Sequence, residues 1–208
     1  MKSYKYLLLS LAFLFSVTAC QKEEAVSPAT KISPISAAQY LAQHFTCPIL
    51  FHFAELNEET QEHQGWFIDR WGAVKSYTTS LQDPKAIPEE QQCGVHLLDN
   101  LYALADQSHG QVDLATLVEK FKLIRKIQLS LLSSIQLENK TTQSTFYAFN
   151  PEKNYNGDTH CYDQNGDLVD VFNRILLQAN GKENQTNHSA AAQEILSWLQ
   201  SIQEDNQL

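Results

Sequence analysis

Short turns between runs of β-forming residues constrain the fold of this chain more than any other feature of its sequence. Gly72 lies between two such runs, and the dipeptide Asn165-Gly166 lies between two more. Both places favour β-hairpins, because glycine and asparagine tolerate the positive φ angles that tight turns need. Strands joined by such turns pair antiparallel, whereas parallel strands need a long crossover connection. The strands predicted from composition and spacing are residues 48–54, 65–70, 73–77, 144–149, 160–162 and 168–177.

Apolar residues recur at intervals of three and four in four other segments, which predicts helices. The predicted helices are residues 37–45, 89–107, 114–137 and 190–202. Asp113 and Ser189 directly precede two of these helices and are good N-cap residues, since their side chains accept hydrogen bonds from free backbone amides. Because the strands fall in hairpins and do not alternate with helices, we expect an α+β fold, with a mostly antiparallel sheet of hairpins packed against four helices.

The N-terminus has the layout of a secretory signal. Lys2 and Lys5 precede the almost wholly apolar residues 7–15, a run shorter than the roughly 20 residues that span a membrane as a helix. The segment ends in Val17-Thr18-Ala19-Cys20, which resembles the lipobox of bacterial lipoproteins: an aliphatic residue, two small residues and a cysteine. An ordinary secreted protein with a chance cysteine, or an N-terminal membrane anchor, shares part of this pattern.

The lipobox resemblance implies a lipid anchor on Cys20. In that family, signal peptidase II cleaves before the cysteine once its sulfur carries a diacylglyceryl group, and further acylation, for example with palmitate, follows. We therefore expect residues 1–19 to be a signal peptide, residues 20–33 a flexible tether and residues 34–208 a single globular α+β domain. Several acyl chains hold a protein at a membrane durably, whereas one chain binds only marginally. The membrane is thus an expected partner, reached through the N-terminal lipid.

The residues directly after Cys20 bear on which membrane carries the protein. Gln21, not aspartate, follows the cysteine, so the usual signal for retention in the inner membrane is missing. Lys22, Glu23 and Glu24 resemble the surface-export tag of lipoproteins in one large phylum of Gram-negative bacteria. The resemblance implies an outer-membrane lipoprotein of the cell envelope that is exposed at the surface, although any polar tether has a similar composition.

The charge balance excludes one class of partner. The chain has 15 Lys and Arg against 24 Asp and Glu, a formal net charge of −9. Loss of Lys2 and Lys5 with the signal peptide leaves 13 basic residues against 24 acidic ones, or −11. Nucleic-acid binding needs a basic surface, so we expect no nucleic-acid partner. An anionic lipid surface also repels a domain of this charge.

Three cysteines remain besides Cys20, namely Cys47, Cys93 and Cys161. The cell envelope is oxidising, so a disulfide between two of them is expected as readily as none. The sequence does not choose among the three pairings. The odd count leaves one thiol that is buried, reactive or crosslinked to a partner.

The best candidate for an ion site is the second hairpin turn. Asp163, Asn165, Asp167 and Asp170 offer oxygen ligands around Gly166, and such ligands suit Ca²⁺. The spacing departs from that of an EF-hand loop, whose glycine is the sixth residue and whose glutamate is the twelfth. A plain hairpin turn explains the same residues, and the sequence implies no other cofactor.

Aromatic residues gather in the first hairpin, where Trp66, Trp71 and Tyr77 are candidates for ligand binding. Alternation along the strands puts aromatic side chains on both faces of the sheet, so one face can serve as a platform for a glycan or a peptide. A sheet face packed against helices accounts for the same composition.

The common catalytic signatures are missing from the sequence: a Gly-x-Ser-x-Gly nucleophile turn, a phosphate-binding glycine loop and a His-Glu-x-x-His zinc helix. We therefore expect a lipid-anchored envelope protein that acts as a non-catalytic binding or interaction module, with a protein or glycan partner. One alternative is a small envelope hydrolase with a site built from dispersed His, Cys and Asp residues, of which His52, His96 and His160 are the first to test. Another is a structural assembly subunit that docks through an unpaired cysteine or through the lysine face of residues 120–126.

Overall fold

The computed structural model describes residues 34–44, 47–80, 94–105, 107–136, 140–150, 161–162, 168–169 and 172–208. These residues lie in one compact unit, Ile32–Leu208. They form an eight-stranded sheet, a separate two-stranded pair and four α-helices. The predicted α+β fold, with a largely antiparallel sheet and four helices, is confirmed.

The described residues form ten strands and four α-helices. The strands are β1 (Ile49–Asn57), β2 (Glu62–Asp69), β3 (Ala73–Ser80), β4 (Gln107–Gln111), β5 (Leu132–Gln136), β6 (Thr142–Asn150), β7 (Cys161–Tyr162), β8 (Leu168–Val169), β9 (Asn173–Asn180) and β10 (Glu183–Asn187). The helices are α1 (Pro34–His44), α2 (Gly94–Leu104), α3 (Leu114–Ile124) and α4 (Ala190–Asn206), and one turn of 3₁₀ helix covers Leu129–Leu131. None of the described helices combines the length and the apolar character that crossing a membrane requires.

The large sheet has β1 at its centre. Its strand order is β4-β3-β2-β1-β6-β9-β10-β5, and the neighbouring strands pair antiparallel. The first six residues of β1 are all buried, so both faces of this strand are covered. A strand with two covered faces reads as a continuous apolar run, which is why residues 48–54 could be predicted as a strand without alternation.

Helices pack on both faces of the sheet. Phe51 of β1 meets Trp198 of α4 edge-on, with their ring centroids 5.2 Å apart. On this side α3 packs beside α4, and α1 packs beside α3. Phe67 of β2 contacts Tyr102 of α2, also with centroids 5.2 Å apart. Phe67 pairs with His52, the neighbour of Phe51, so the two aromatic contacts lie on opposite faces.

The turn between β2 and β3 shows how local sequence fixes one hairpin. Asp69 is buried, and its Oδ1 accepts hydrogen bonds from the backbone amides of Trp71 at 2.9 Å and Ala73 at 2.8 Å. Gly72 has a φ of +86°. A Cβ on this glycine would lie 2.6 Å from the carbonyl oxygen of Val112. Position 72 therefore requires glycine, and the hairpin predicted there is confirmed.

The third predicted helix is wrong in its C-terminal part. α3 ends at Ile124, and the chain then forms the 3₁₀ turn and β5 where helix was expected up to residue 137. Leu131 and Ile135 continue the helical spacing in the sequence, but both are exposed. The serines between them are weak helix formers, and pairing of β5 with β10 decides the conformation instead.

Two strands, β4 and β10, are not predicted from the sequence because their residues are polar. β4 and β10 have no apolar alternation, which is the feature that predicts a strand. Their conformation depends on pairing, since β4 lies beside β3 and β10 lies between β9 and β5. The predicted strand 168–177 consists of two elements, β8 and the first half of β9.

Candidate binding site

A cavity of about 260 Å³ opens between the sheet and the C-terminal end of α4. The strand register brings side chains of one sheet face to it, because Phe53 lies opposite Trp66 and Trp66 lies opposite Ser76. The lining residues are Phe53, Glu55, Gln64, Gly65, Trp66, Ser76, Tyr77, Thr78, Gln107, His109, Gln203, Gln207 and Leu208. Strands β1 to β4 and helix α4 thus contribute to one concave site.

The base of the cavity is aromatic. The ring centroids of Phe53 and Trp66 are 6.1 Å apart and the rings are nearly parallel. Phe146 of β6 packs behind them, with its centroid 4.7 Å from that of Phe53. Trp66 is 2% exposed, and its indole Nε1 has no hydrogen-bond partner within the described part of the chain. A buried donor without an acceptor costs about 1–3 kcal/mol, which the packing of the three rings has to offset.

The rim of the cavity is polar. Gln64 donates from Nε2 to Glu55 Oε1 at 2.8 Å. Ser76 Oγ and His109 Nε2 are 2.6 Å apart and share a hydrogen bond. Among the described lining residues, Glu55 has the only side chain with a formal charge at pH 7 when histidine is neutral. The side chains of the rim therefore offer hydrogen bonds and one formal negative charge, that of Glu55.

His109 reaches the cavity because β4 contains a bulge. Val74 pairs with Gly110 and Lys75 pairs with Ser108, so His109 is an extra residue between two regular pairs. A bulge of this kind bends the strand and redirects a side chain. Since β4 has no apolar alternation, the sequence does not mark His109 as a site residue.

The end of α4 closes the cavity on its second side. Gln207 adopts a left-handed conformation, with a φ of 53° and a ψ of 43°, and its backbone amide donates to the carbonyl of Gln203. The amide of Leu208 also donates to that carbonyl, at 3.0 Å. This local turn places Gln203 and Gln207 at the rim. No short motif marks them in the sequence, because glutamines on an amphipathic helix normally face water.

A buried polar pair lies on the other face of the same strands. His52 Nε2 and the Tyr77 hydroxyl are 2.8 Å apart, and that hydroxyl is 3.4 Å from His63 Nε2. His52 is 1% exposed. Burial lowers the pKa of His52 to about 3, with smaller contributions from His63 and Arg174. His52 is therefore neutral at physiological pH and shielded from solutes, so it acts as an interior polar residue in this conformation.

The three aromatic candidates do not form one exposed platform. Trp66 faces the cavity, whereas Tyr77 borders it from a strand position whose hydroxyl lies on the opposite face, and each is almost completely buried. Trp71 lies on the β2–β3 turn and is 53% exposed. The guanidinium of Arg70 lies 4.2 Å from the centroid of a Trp71 ring, so a cation–π contact already occupies part of its surface.

Several other predicted site residues lie outside the described residues or side chains. Outside the described residues are Cys20, Cys93, His160, Asp163, Asn165, Asp167 and Asp170. The backbones of His96 and Cys161 lie in α2 and β7. β7 pairs antiparallel with β8, as the hairpin prediction requires. Within the described residues, no group of three His, Cys, Asp or Glu side chains is placed to hold a metal ion.

Cys47 is a free and fully buried thiol. Its sulfur donates to the carbonyl of Ile49 at 3.0 Å, and burial raises the pKa of the thiol. A buried thiol with a raised pKa is a poor nucleophile. Since Cys47 is unpaired, a disulfide among the three cysteines of the domain could only join Cys93 to Cys161.

Two lysines of the face proposed for docking, Lys120 and Lys122, make contacts within the chain. Lys120 pairs with Glu194 of α4 at 2.8 Å. The ammonium of Lys122 lies 5.0 Å from the ring centroid of Tyr40 on α1. These contacts tie α3 to its neighbouring helices, which is a role inside the domain.

Comparison with known proteins does not assign this site to a family. No family model, no curated protein and no solved structure matches this chain. The chemistry of the site is therefore inferred from its residues alone.

Proposed function

We propose that this chain is a lipid-anchored protein of the bacterial cell envelope whose folded domain binds a small neutral ligand without changing it chemically. The lipobox resemblance at residues 17–20 supports the anchor. The cavity beside α4 supports the binding function, because it is concave and joins an apolar base to a polar rim.

The composition of the rim defines the class of ligand. Side-chain amides of Gln64, Gln107, Gln203 and Gln207 border the cavity, and each amide offers both donors and an acceptor. Such groups match hydroxyls and amides, which also donate and accept. At about 260 Å³ the cavity lies just below the usual range for ligand pockets, so the ligand is the size of one sugar ring or a dipeptide.

Ligand-observed NMR on the full chain in detergent tests this proposal. The probes are neutral monosaccharides and dipeptides blocked at both ends. We expect saturation transfer to at least one probe, and a tenfold or greater loss of affinity in Gln203→Leu, which removes one amide from the rim. Gln200→Leu is the matched control, because Gln200 lies on the same helix but is exposed outside the cavity.

Equal affinity in the Gln203→Leu and Gln200→Leu variants would move the binding site away from the cavity. Failure of every neutral probe, with binding of a charged one, would overturn the assigned ligand class. Circular dichroism of both variants confirms that the helix is intact.

The Ser76–His109 pair favours a second candidate function, hydrolysis of an acyl ester. In that reaction Ser76 Oγ attacks the carbonyl carbon while its proton passes to His109 Nε2, and the leaving alcohol takes that proton. Water then attacks the acyl-serine by the same proton transfers and releases the acid. A base of this type is normally oriented by a third group, and no described residue hydrogen-bonds His109 Nδ1. Binding is therefore the better supported function.

A fluorophosphonate probe separates the two functions. A serine hydrolase forms a serine–phosphorus bond with loss of fluoride, and labelling would disappear in Ser76→Ala and in His109→Gln. Ser133→Ala is the control, since Ser133 Oγ lies 2.8 Å from His188 Nε2 in a similar pair outside the cavity. The binding function predicts no labelling at Ser76 in the parent chain.

A further inference from the structure

The edge strand β5 has exposed apolar side chains, and its outer edge pairs with no other strand among the described residues. Ile135 is 62% exposed and Leu132 is 41% exposed. Leu129 and Leu131, in the 3₁₀ turn just before the strand, are 45% and 42% exposed. In the described part of the chain, β5 pairs only with β10 and ends the eight-stranded order. Natural sheets normally protect such an edge.

The alternation of backbone hydrogen bonds along β5 shows which amides and carbonyls point away from β10. The amide of His188 donates to the carbonyl of Leu131 at 3.0 Å, next to the β10–β5 ladder. Antiparallel ladders alternate, so residues 133 and 135 also direct their amides and carbonyls towards β10. The backbone groups of Leu132, Ser134 and Gln136 therefore point outward from the sheet.

The sequence of β5 has none of the devices that prevent edge pairing. Its five residues, Leu-Ser-Ser-Ile-Gln, contain no charge and no proline. Two copies can therefore approach at this strand without placing like charges opposite each other, although each chain carries a net charge of −9.

The opposite edge of the sheet is unlike β5. β4 is also five residues long, but it contains the bulge at His109 and Gly110, which distorts its outer edge. Pairing of β5 with β4 of another copy would build an open chain of molecules, whereas pairing of β5 with β5 closes a two-fold dimer. The regular strand pairs with itself more readily than with the bulged one.

We infer that two copies of this chain pair through antiparallel β5 strands, with a two-fold axis at Ser134. This register follows because residues 132, 134 and 136 are the ones whose backbone groups point outward. Ser134 then lies opposite Ser134 of the second copy, and Leu132 lies opposite Gln136. These residues point their amides and carbonyls at each other, which adds six backbone hydrogen bonds and joins two sheets into one of sixteen strands. The inference does not depend on the proposed ligand.

Site-directed crosslinking of the full chain tests the register. A hydrogen-bonded antiparallel pair has its Cα atoms about 5.5 Å apart, a distance that a disulfide can bridge. Ser134→Cys should give a dimer on non-reducing electrophoresis at least ten times more abundant than the parent chain gives. Ser130→Cys is the control, since Ser130 is also exposed but lies outside the strand. Equal crosslinking at both positions would overturn the register.

A proline substitution tests whether the backbone edge makes the contact. Ser134→Pro removes an amide that points away from β10, so the strand should keep its place in its own sheet. We expect this variant to sediment as a monomer in detergent, while Ser134→Ala keeps the dimer of the parent chain. A parent chain that sediments at the protein mass of one copy, or a dimer that survives in Ser134→Pro, would contradict the inference.

Discussion

At the scale of single residues, the burial of His52 makes the stability of the fold depend on pH. It lies at the centre of the sheet, with its ring stacked near that of Tyr147 and its Nε2 bonded to Tyr77. Its Nδ1 is buried and has no partner among the described residues. Such a ring is tolerated because it is neutral, since a charged imidazole would be desolvated at this depth. The folded protein therefore resists protonation of His52 far more than the unfolded chain does.

The first prediction follows from this difference in proton affinity. Since burial lowers the pKa of His52 from about 6.5 to about 3, the unfolded chain binds a proton in this window and the native one does not. The stability that the neutral ring contributes is present above pH 6.5 and is lost as the pH falls towards 3. We expect the free energy of unfolding to decrease by about 1.4 kcal/mol per pH unit from this group.

Urea unfolding of the parent chain and of a His52→Phe/Tyr77→Phe double variant measures the effect. The double variant removes both the His52 imidazole and the Tyr77 hydroxyl, so no partner of the hydrogen bond between them is left unpaired. Between pH 4 and 6.5, the free energy of unfolding of the double variant should fall less steeply than that of the parent chain, by about 1.4 kcal/mol per pH unit. The acidic residues contribute equally in both chains. Identical slopes would show that His52 is not the responsible group.

Gly65 is required for space rather than for backbone freedom. A Cβ at this position would lie 2.2 Å from the carbonyl oxygen of Phe53 and 2.7 Å from the Tyr77 hydroxyl. We predict that Gly65→Ala lowers the free energy of unfolding by about 1–3 kcal/mol, as overpacking does. Adding Tyr77→Phe removes the hydroxyl but not the Phe53 contact. Full rescue by that second change in chemical unfolding would contradict this account.

At the scale of elements, apolar patterning predicted the helices and the strands that bury side chains. β1 and β2 were found because their residues are apolar, and the β2–β3 turn because of Gly72. β4 and β10 were missed, since a polar strand at or near a sheet edge is defined only by its hydrogen-bond partners. The overextension of α3 has the same origin, because spacing cannot show that Ile135 faces water.

The junction before α4 depends on a polar residue that spacing also cannot identify. Asn187 is buried, and its Oδ1 accepts from the amide and the hydroxyl of Ser189 at 3.0 and 2.8 Å. Its Nδ2 donates to the carbonyl of Gln128 at 3.2 Å. This side chain joins β10, the start of α4 and the segment before β5.

We predict that Asn187→Ala costs about 2–4 kcal/mol in thermal or urea unfolding, because it leaves several buried groups unpaired. Asp113→Ala is the comparison. It removes the exposed N-cap of α3, whose carboxylate accepts from the Thr116 amide at 3.0 Å, and should cost only about 1 kcal/mol. Equal costs would indicate that Asn187 does not join the three segments.

At the scale of the whole molecule, the cavity joins residues that are far apart in the sequence. Trp66 was a candidate because of its residue type, and it does border the cavity. The rim residues come from four strands and the end of a helix, so only the sheet order brings them together. His109 depends further on a bulge, which has no signature in a polar strand. A site assembled across the sheet cannot be read from local spacing.

The acidic charge of the molecule bears on the proposed membrane anchor, because it leaves the proposed N-terminal lipid as the means of attachment. Without the signal peptide the formal charge is −11, so electrostatic attraction to anionic lipid is unavailable to the folded domain, and the proposed acyl chains on Cys20 provide the attachment. We predict that metabolic labelling with palmitate marks the parent chain and not Cys20→Ser. Cys93→Ser is the control and should label as the parent does, since only Cys20 lies in the lipobox. Equal labelling of the parent and of Cys20→Ser would remove the basis for the membrane anchor. It would not bear on the proposed ligand binding in the cavity, which the NMR experiment tests separately.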